Sequence, residues 1–193
     1  MLKLLVPLFL LSCGGSSPYR LKQSDTYVVF DRTARKDNSW FMDGDTLYKE
    51  NTPFLPKYHE VNYKAITDSS LMEKSFTSGY NTLKTSVDLA IFKKGDYAES
   101  NMLAEFIDSC AEEYDLNALL SVKVRKGSEE QITRLAEFSK PYPNILGVEL
   151  TYEPPETQDD IQAATVSILK INPDIMIVSA YPLDIPKSKL IRE

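Results

Sequence analysis

Short apolar runs of strand period alternate with longer segments of helical period, most regularly in the second half of the chain. The clearest strand is Asn144-Ile145-Leu146-Gly147-Val148-Glu149-Leu150-Thr151-Tyr152-Glu153-Pro154. Ile145, Leu146, Val148 and Leu150 form its apolar run; Pro143 and Asn144 punctuate its start, and Pro154-Pro155 stops it. Before it, Thr26 to Phe30 reads as a short strand, and Ser39 to Tyr48 as a β-hairpin turning at Asp43-Gly44. Phe54 to Tyr63 is extended, and Ser69 to Ser78 is helical with a serine cap.

From there the pattern predicts a strand over Leu83 to Ile91 and a helix over Glu99 to Tyr114, with Leu103, Phe106, Ile107 and Cys110 on one face. Ala118 to Val124 is the next strand. Ser128 starts a helix running to about Ser139, with Glu130 or Gln131 placed for a capping box. Gln158 to Ile171 is helical, and Ile175 to Ala180 is a continuous apolar strand of the kind buried on both faces in parallel sheets. Alternating strands and helices define an α/β chain, and in such chains the strand C-termini form the functional rim. The strand ending at Glu153 delivers a carboxylate there; the competing reading is a solvated residue after a core strand.

The 193 residues suffice for one domain with a sizeable core, and 42% hydrophobic and 26% charged residues are ordinary for a globular protein. A net charge of −6 supplies no basic footprint and argues against nucleic acid as a partner. Met1-Leu2-Lys3, an apolar run from Leu4 to Leu11 and Ser12-Cys13-Gly14 read as a secretory signal, because the run is too short to span a bilayer. Leu10-Leu11-Ser12-Cys13 resembles the lipobox of bacterial lipoproteins. That resemblance implies cleavage after residue 12, lipid on Cys13, anchoring in the bacterial cell envelope (outer membrane or cell surface), and a tether over residues 13–25. Residues 1–12 carry Lys3 as their one charge, so the mature chain would be one unit more negative, −7.

The chemistry-bearing residues are sparse. Cys110 would be left without an intrachain disulfide partner, and it reads as a buried structural thiol rather than a nucleophile, since the one histidine, His59, is far away in sequence. No His/Cys/Asp cluster has metal-ligand spacing and no Gly-rich loop could cradle phosphate, so no metal or other cofactor is expected. Eleven Tyr and eight Phe offer aromatic faces that suit sugar rings and cores alike. Trp40 reads as a packing residue of the hairpin or a sugar platform, His59 and Glu60 as structural or substrate-contacting, and Tyr181 as a rim residue able to stack on a sugar.

Gly79-Tyr80-Asn81-Thr82-Leu83-Lys84 resembles the "G-F-N-x-V-R" second strand of clan A glycoside hydrolases, the family 5 cellulase and mannanase kind. Trp40 to Gly44, Pro53 to Pro56 and Val61 to Tyr63 resemble the family's opening hairpin and first barrel strand. Ala118 to Lys123 sits where the third strand follows a helix of the type at Phe106 to Leu116. Ile145 to Pro154 is similar to the fourth strand ending in "N-E-P", and Ile168 to Val178 to the passage into the fifth. The resemblance spans about residues 38–184. It implies a (β/α)8 TIM-barrel-like fold, incomplete at about five β/α units, with an N-terminal β-hairpin, as a single domain over residues 26–193.

By the same resemblance Glu153 is the general acid/base of a retaining hydrolysis of β-linked polysaccharide or oligosaccharide, and Lys84 and Tyr152 bind substrate. Tyr152 stands in place of the family's Asn and Lys84 in place of its Arg, which removes a bidentate fork. The second carboxylate, expected about 5–5.5 Å away on a seventh strand, has no counterpart, since a full barrel takes about 250 residues. A catalytically inactive glycan-binding or partner-binding truncated barrel is the alternative. Glu149, inside the fourth strand, either faces the barrel interior or pairs with Lys123 or Lys84. An open sheet edge after the fifth strand would invite self-association.

Overall fold

A computed structural model of the chain describes residues 19–23, 26–30, 40–43, 46–49, 52–65, 69–93, 95, 97–153 and 156–179. In chain order its elements are β1 (Tyr19–Gln23), β2 (Thr26–Phe30), β3 (Trp40–Asp43), β4 (Thr46–Lys49), β5 (Thr52–Pro53), β6 (Tyr58–Val61) and α1 (Ser69–Thr77). There follow β7 (Thr82–Val87), α2 (Ala98–Tyr114), β8 (Asn117–Lys123), α3 (Glu129–Ser139), β9 (Ile145–Thr151), α4 (Gln158–Ile171) and β10 (Met176–Ser179). Strands β6 to β10 are parallel and lie side by side in chain order, each joined to the next through one helix. A doubly wound sheet reverses its order at a switch point; here the winding never reverses, which is the order of a barrel. The fold is α/β, an incomplete barrel of five β/α-type strands, as the sequence led us to expect.

Strand alternation separates two cores. Leu83, Ala118, Leu120, Val122, Val148, Leu150 and Ile177 turn toward the helices and join Leu103, Phe106 and Ile107 of α2, Ile132 and Leu135 of α3 and Ile161 and Ile168 of α4 in one buried cluster. Leu119, Leu146, Met176 and Val178 face the other way. Leu47 of β4 and Phe54 cover them, brought by the small antiparallel sheet β3-β4-β5. The Phe54 N–H donates to the Leu47 carbonyl at 2.7 Å, which fixes the two covering residues together. Burying a leucine side chain contributes about 1.5–3 kcal/mol, so Leu47 alone secures this small sheet appreciably.

Gly147 sits where β9 approaches β10 most closely. A Cβ placed there would meet the Met176 carbonyl oxygen at 2.5 Å and the Met176 Cβ at 3.0 Å. The pairing of β8 with β9 is irregular just before it, between Ala118 and Leu119. Two side chains of β9, Leu146 and Glu149, therefore reach the concave face although they are three residues apart.

The hairpin expected over residues 39–48 is β3-β4, with Asp43 opposite Thr46. Other expectations change. The strand expected to run to Ile91 ends at Val87, because the Asp88 carboxylate accepts the Ala90 N–H at 2.9 Å and starts a 3-10 turn over Leu89–Phe92. Ser128 makes no capping bond; its hydroxyl donates to the Arg125 carbonyl at 2.5 Å. The capping box lies on α4 instead, where Asp160 accepts the Thr157 N–H at 2.7 Å. The open edge expected beyond the fifth strand is covered: β2 pairs antiparallel with β10, and β1 with β2. Backbone groups that β10 would leave unpaired are met by β2, and Tyr19–Gln23, within the span 13–25 expected as a tether, is a strand; residues 13–18, 24 and 25 of that span lie outside the described residues. Residues 1–12, Cys13 and Tyr181 lie outside the described residues.

Candidate functional site

The concave face of the parallel strands carries a row of charged groups from the middle of the strands toward their C-terminal ends. Period-two alternation places it there: with Leu83 turned to the helices, Lys84 is turned inward, and with Val148 and Leu150 outward, Glu149 is inward. Lys84 Nζ lies 3.0 Å from Glu149 Oε1 and 2.9 Å from Oε2, so one ammonium addresses both carboxylate oxygens across the intervening β8. From β8 the Ser121 hydroxyl donates to Glu149 Oε2 at 2.6 Å. Glu60 on β6 approaches the same ammonium at 3.4 Å. Four adjacent strands thus supply Glu60, Lys84, Ser121 and Glu149 to one network.

The members differ in exposure. Lys84 and Glu149 side chains keep 24% and 20% of their surface, while Glu60 keeps 79%. Burial opposes the charge of Lys84, yet the bonds and charges of Glu149 and then Glu60 outweigh it and raise its pKa. Tyr58 stands above the ordinary phenol range, first through burial and then through the charge of Glu149. The network is a fixed, fully charged pair with a hydroxyl donor. It can bind polar groups and orient them.

Glu153 follows the end of β9 and pairs with Lys123, the last residue of β8, at 2.6 Å. Both are largely exposed, at 69% and 43%. The hydrogen bond from Lys123 and its charge, with the least contribution from Arg125, hold the Glu153 carboxyl below the usual carboxylate range, against an effect of burial smaller than those of Lys123. Glu153 is consequently an ionised acceptor at neutral pH.

The site residues expected from the sequence are divided between faces. Lys84 and Glu153 stand on the strand-end side. Tyr152 packs against the helix-side core. His59 is turned to α1, where its Nδ1 lies 2.6 Å from the Ser75 hydroxyl and its ring stacks on Tyr80 at 5.0 Å. The alternation that sends Glu60 inward sends His59 outward, so the histidine does not join the Lys84 network. Of the two partners foreseen for Glu149, the structure selects Lys84, and Lys123 goes to Glu153. Ser121 and Tyr58 escaped sequence reasoning as members of the site, whereas Glu60, weighed together with His59, joins it without the histidine. The inward phase of Lys84 and Glu149 carried the signal for their strands, but nothing local to Ser121 marks it.

Among the described residues no group of three or more His, Cys, Asp or Glu side chains could hold a metal ion. Cys110 is fully buried in the helix-side core, and burial, with a smaller contribution from Glu113, pushes its thiol up to about 12. It is a packing residue at neutral pH. No described helix is long and apolar enough to cross a membrane.

Three solved structures of an endocellulase from Pyrococcus horikoshii are similar to this chain, two of them complexes of variants with cellotetraose. The sequence identities are 12%, 13% and 14% and the TM-scores 0.49, 0.47 and 0.45. In each case 84% of this chain aligns with 56% of the endocellulase, so the chain spans little more than half the length of these neighbours. At such identities no residue's role passes from them to this chain. No protein-family model matches the sequence. No curated protein matches it either.

Proposed function

We propose that this is a glycoside hydrolase-like domain that engages a β-linked polysaccharide or oligosaccharide at the C-terminal ends of its parallel strands. One observation supports the reading above the others. Adjacent strands of an incomplete barrel converge Glu60, Lys84, Ser121 and Glu149 on one concave face, with Glu153 at the rim of the same strand end. Such strand ends are where barrel enzymes place their chemistry. Sugar hydroxyls both donate and accept, and a row of fixed carboxylates and ammonium groups satisfies both needs.

In the hydrolytic form of this reading Glu153 is the general acid/base of a retaining mechanism, with a second carboxylate completing the pair. Lys123 bears directly on it. A general acid must hold a proton, and the Lys123 pair favours the ionised form. Substrate that displaces Lys123 from Glu153 would restore the proton affinity that the acid role needs. The same ion pair favours a second reading, glycan binding without hydrolysis, in which Glu153 serves as a hydrogen-bond acceptor. We also propose that lipid on Cys13 anchors the domain in the cell envelope, on the strength of Leu10-Leu11-Ser12-Cys13. Loss of membrane fractionation in Cys13→Ser tests that point.

Dye-linked β-glucan and β-mannan separate the two readings. Release of dye by the wild-type chain, abolished in Glu153→Gln while circular dichroism is unchanged, supports hydrolysis. Binding of the same polysaccharides without dye release, weakened by Lys84→Met, supports the non-catalytic form. Neither release nor binding refutes the glycan assignment altogether.

A further inference from the structure

The opposite end of the sheet carries a second cleft. It opens at the N-terminal ends of β7 and β8, with a volume of about 470 Å³, inside the range of ligand sites. The C-terminal ends of α1 and α2 and the small sheet β3-β4-β5 frame it. Because β8 runs seven residues from Asn117 to Lys123, this cleft stands about 20 Å from the Lys123–Glu153 pair at 3.3 Å per residue.

Aromatic faces line it. Phe76 is 53% exposed and Tyr80 37% exposed. Each ring packs on a further ring: Phe76 on Tyr114, which also lines the cleft, at 6.1 Å, and Tyr80 on His59 at 5.0 Å. His59 is itself tied to Ser75. This gives His59 a part at the cleft that it lacks at the strand ends. One cation and one anion also line it, Lys49 and Asp115, paired at 3.2 Å, with 92% of the Asp115 side chain exposed. The two charges offset each other, so the cleft offers a donor and an acceptor without net charge.

We propose that this cleft is a second ligand site, and that its ligand is a neutral sugar ring. A pyranose presents a flat apolar face to an aromatic ring and a belt of hydroxyls at its edge. The rings match the first, and Lys49 and Asp115 match the second. A ligand with its own charge would meet a balanced pair, and a wholly apolar one would strip water from two ions without replacing it. The inference does not depend on the strand-end reading, since it uses none of those residues.

Amide-resolved NMR titration of the chain with cellotetraose, a β-mannan tetrasaccharide, maltotetraose and tetragalacturonate tests it. A neutral oligosaccharide should shift the amides of Phe76, Tyr80 and Asp115, with an affinity insensitive to salt. Phe76→Ala and Tyr80→Ala should each weaken that binding by roughly tenfold, and Glu153→Gln should not. Both rings are exposed, and Asp115→Asn, which keeps a residue tolerant of its left-handed φ of 48°, gives a third variant with little risk to folding. The proposal is overturned if no neutral sugar shifts the cleft amides at millimolar concentration, or if the cleft variants bind as the wild type does. It is also overturned if tetragalacturonate binds more tightly than the neutral sugars. Shifts confined to Lys123 and Glu153 would overturn it while supporting the strand-end function.

Discussion

Replacing Lys84 with methionine tests the physical account of the strand-end network. Methionine keeps the length and the apolar stem of the side chain and removes only the ammonium. Glu149 then loses both of its short contacts to the cation, at 2.9 and 3.0 Å, and retains the Ser121 hydroxyl at 2.6 Å. A fully exposed pair would contribute about 0–1 kcal/mol, and stranding one member of a fully buried pair costs about 3–5 kcal/mol. Lys84 and Glu149 keep 24% and 20% of their surface, so the structure lies between these limits. The expected loss is about 2 kcal/mol, the scale of one hydrogen bond to a charged group. For a domain of this size that lowers Tm by about 4–8 °C.

Urea unfolding of the wild type, Lys84→Met, Glu149→Gln and the double variant closes a cycle that isolates the pair. A coupling of about 1.5–2 kcal/mol is expected. The pH dependence follows from the raised pKa of Lys84. Stabilisation from a raised lysine is complete below its unfolded value and disappears as pH rises through the folded value. The gap between wild type and Lys84→Met should therefore hold from neutral pH to the ordinary lysine range and close only above it. A coupling below about 0.5 kcal/mol would refute the network as a structural unit, and so would a gap that closes near neutrality.

Three further outcomes follow from the packing and charge. Gly147→Ala forces β9 and β10 apart at the Met176 carbonyl and should cost about 1–3 kcal/mol in urea unfolding; an unchanged midpoint would show that the strands yield freely. In Lys123→Met the Glu153 carboxyl loses its main cause of depression, so its carbon-13 titration midpoint should move up toward the ordinary range; no movement would assign the depression elsewhere. Cys110, with a thiol pushed up to about 12 inside the core, should resist iodoacetamide in the native chain at pH 8 and react only on unfolding. Rapid native labelling would contradict its burial.

Periodicity carried most of the secondary structure. The helix over Gln158 to Ile171 matches α4, and the strand from Ile145 matches β9, because each buries a face whose spacing is written in the chain. Ends set by a single side chain were less legible. Asp88 stops β7 by accepting the Ala90 N–H, a local bond that no hydrophobic pattern encodes. The candidate site was legible in part for the same reason. Lys84 and Glu149 have the inward phase of their strands, and Glu153 follows the end of β9. Ser121 could not be found, since it matters only through Glu149, 28 residues away on β9; Glu60 stood out only as the neighbour of His59, and its approach to Lys84 follows from the pairing of β6 with β7.

The sequence alone determined the alternation of strands and helices, and with it a parallel α/β sheet, because burying alternating faces requires that periodicity whatever the neighbours do. Only the tertiary structure decided which neighbours those are. It set β2 on the edge of β10, laid Leu47 and Phe54 over Leu119, Leu146, Met176 and Val178, and gave Lys84 to Glu149 and Lys123 to Glu153. Those choices depend on register and on which side of a strand meets which, and contacts between residues far apart in the chain leave no mark on the local pattern.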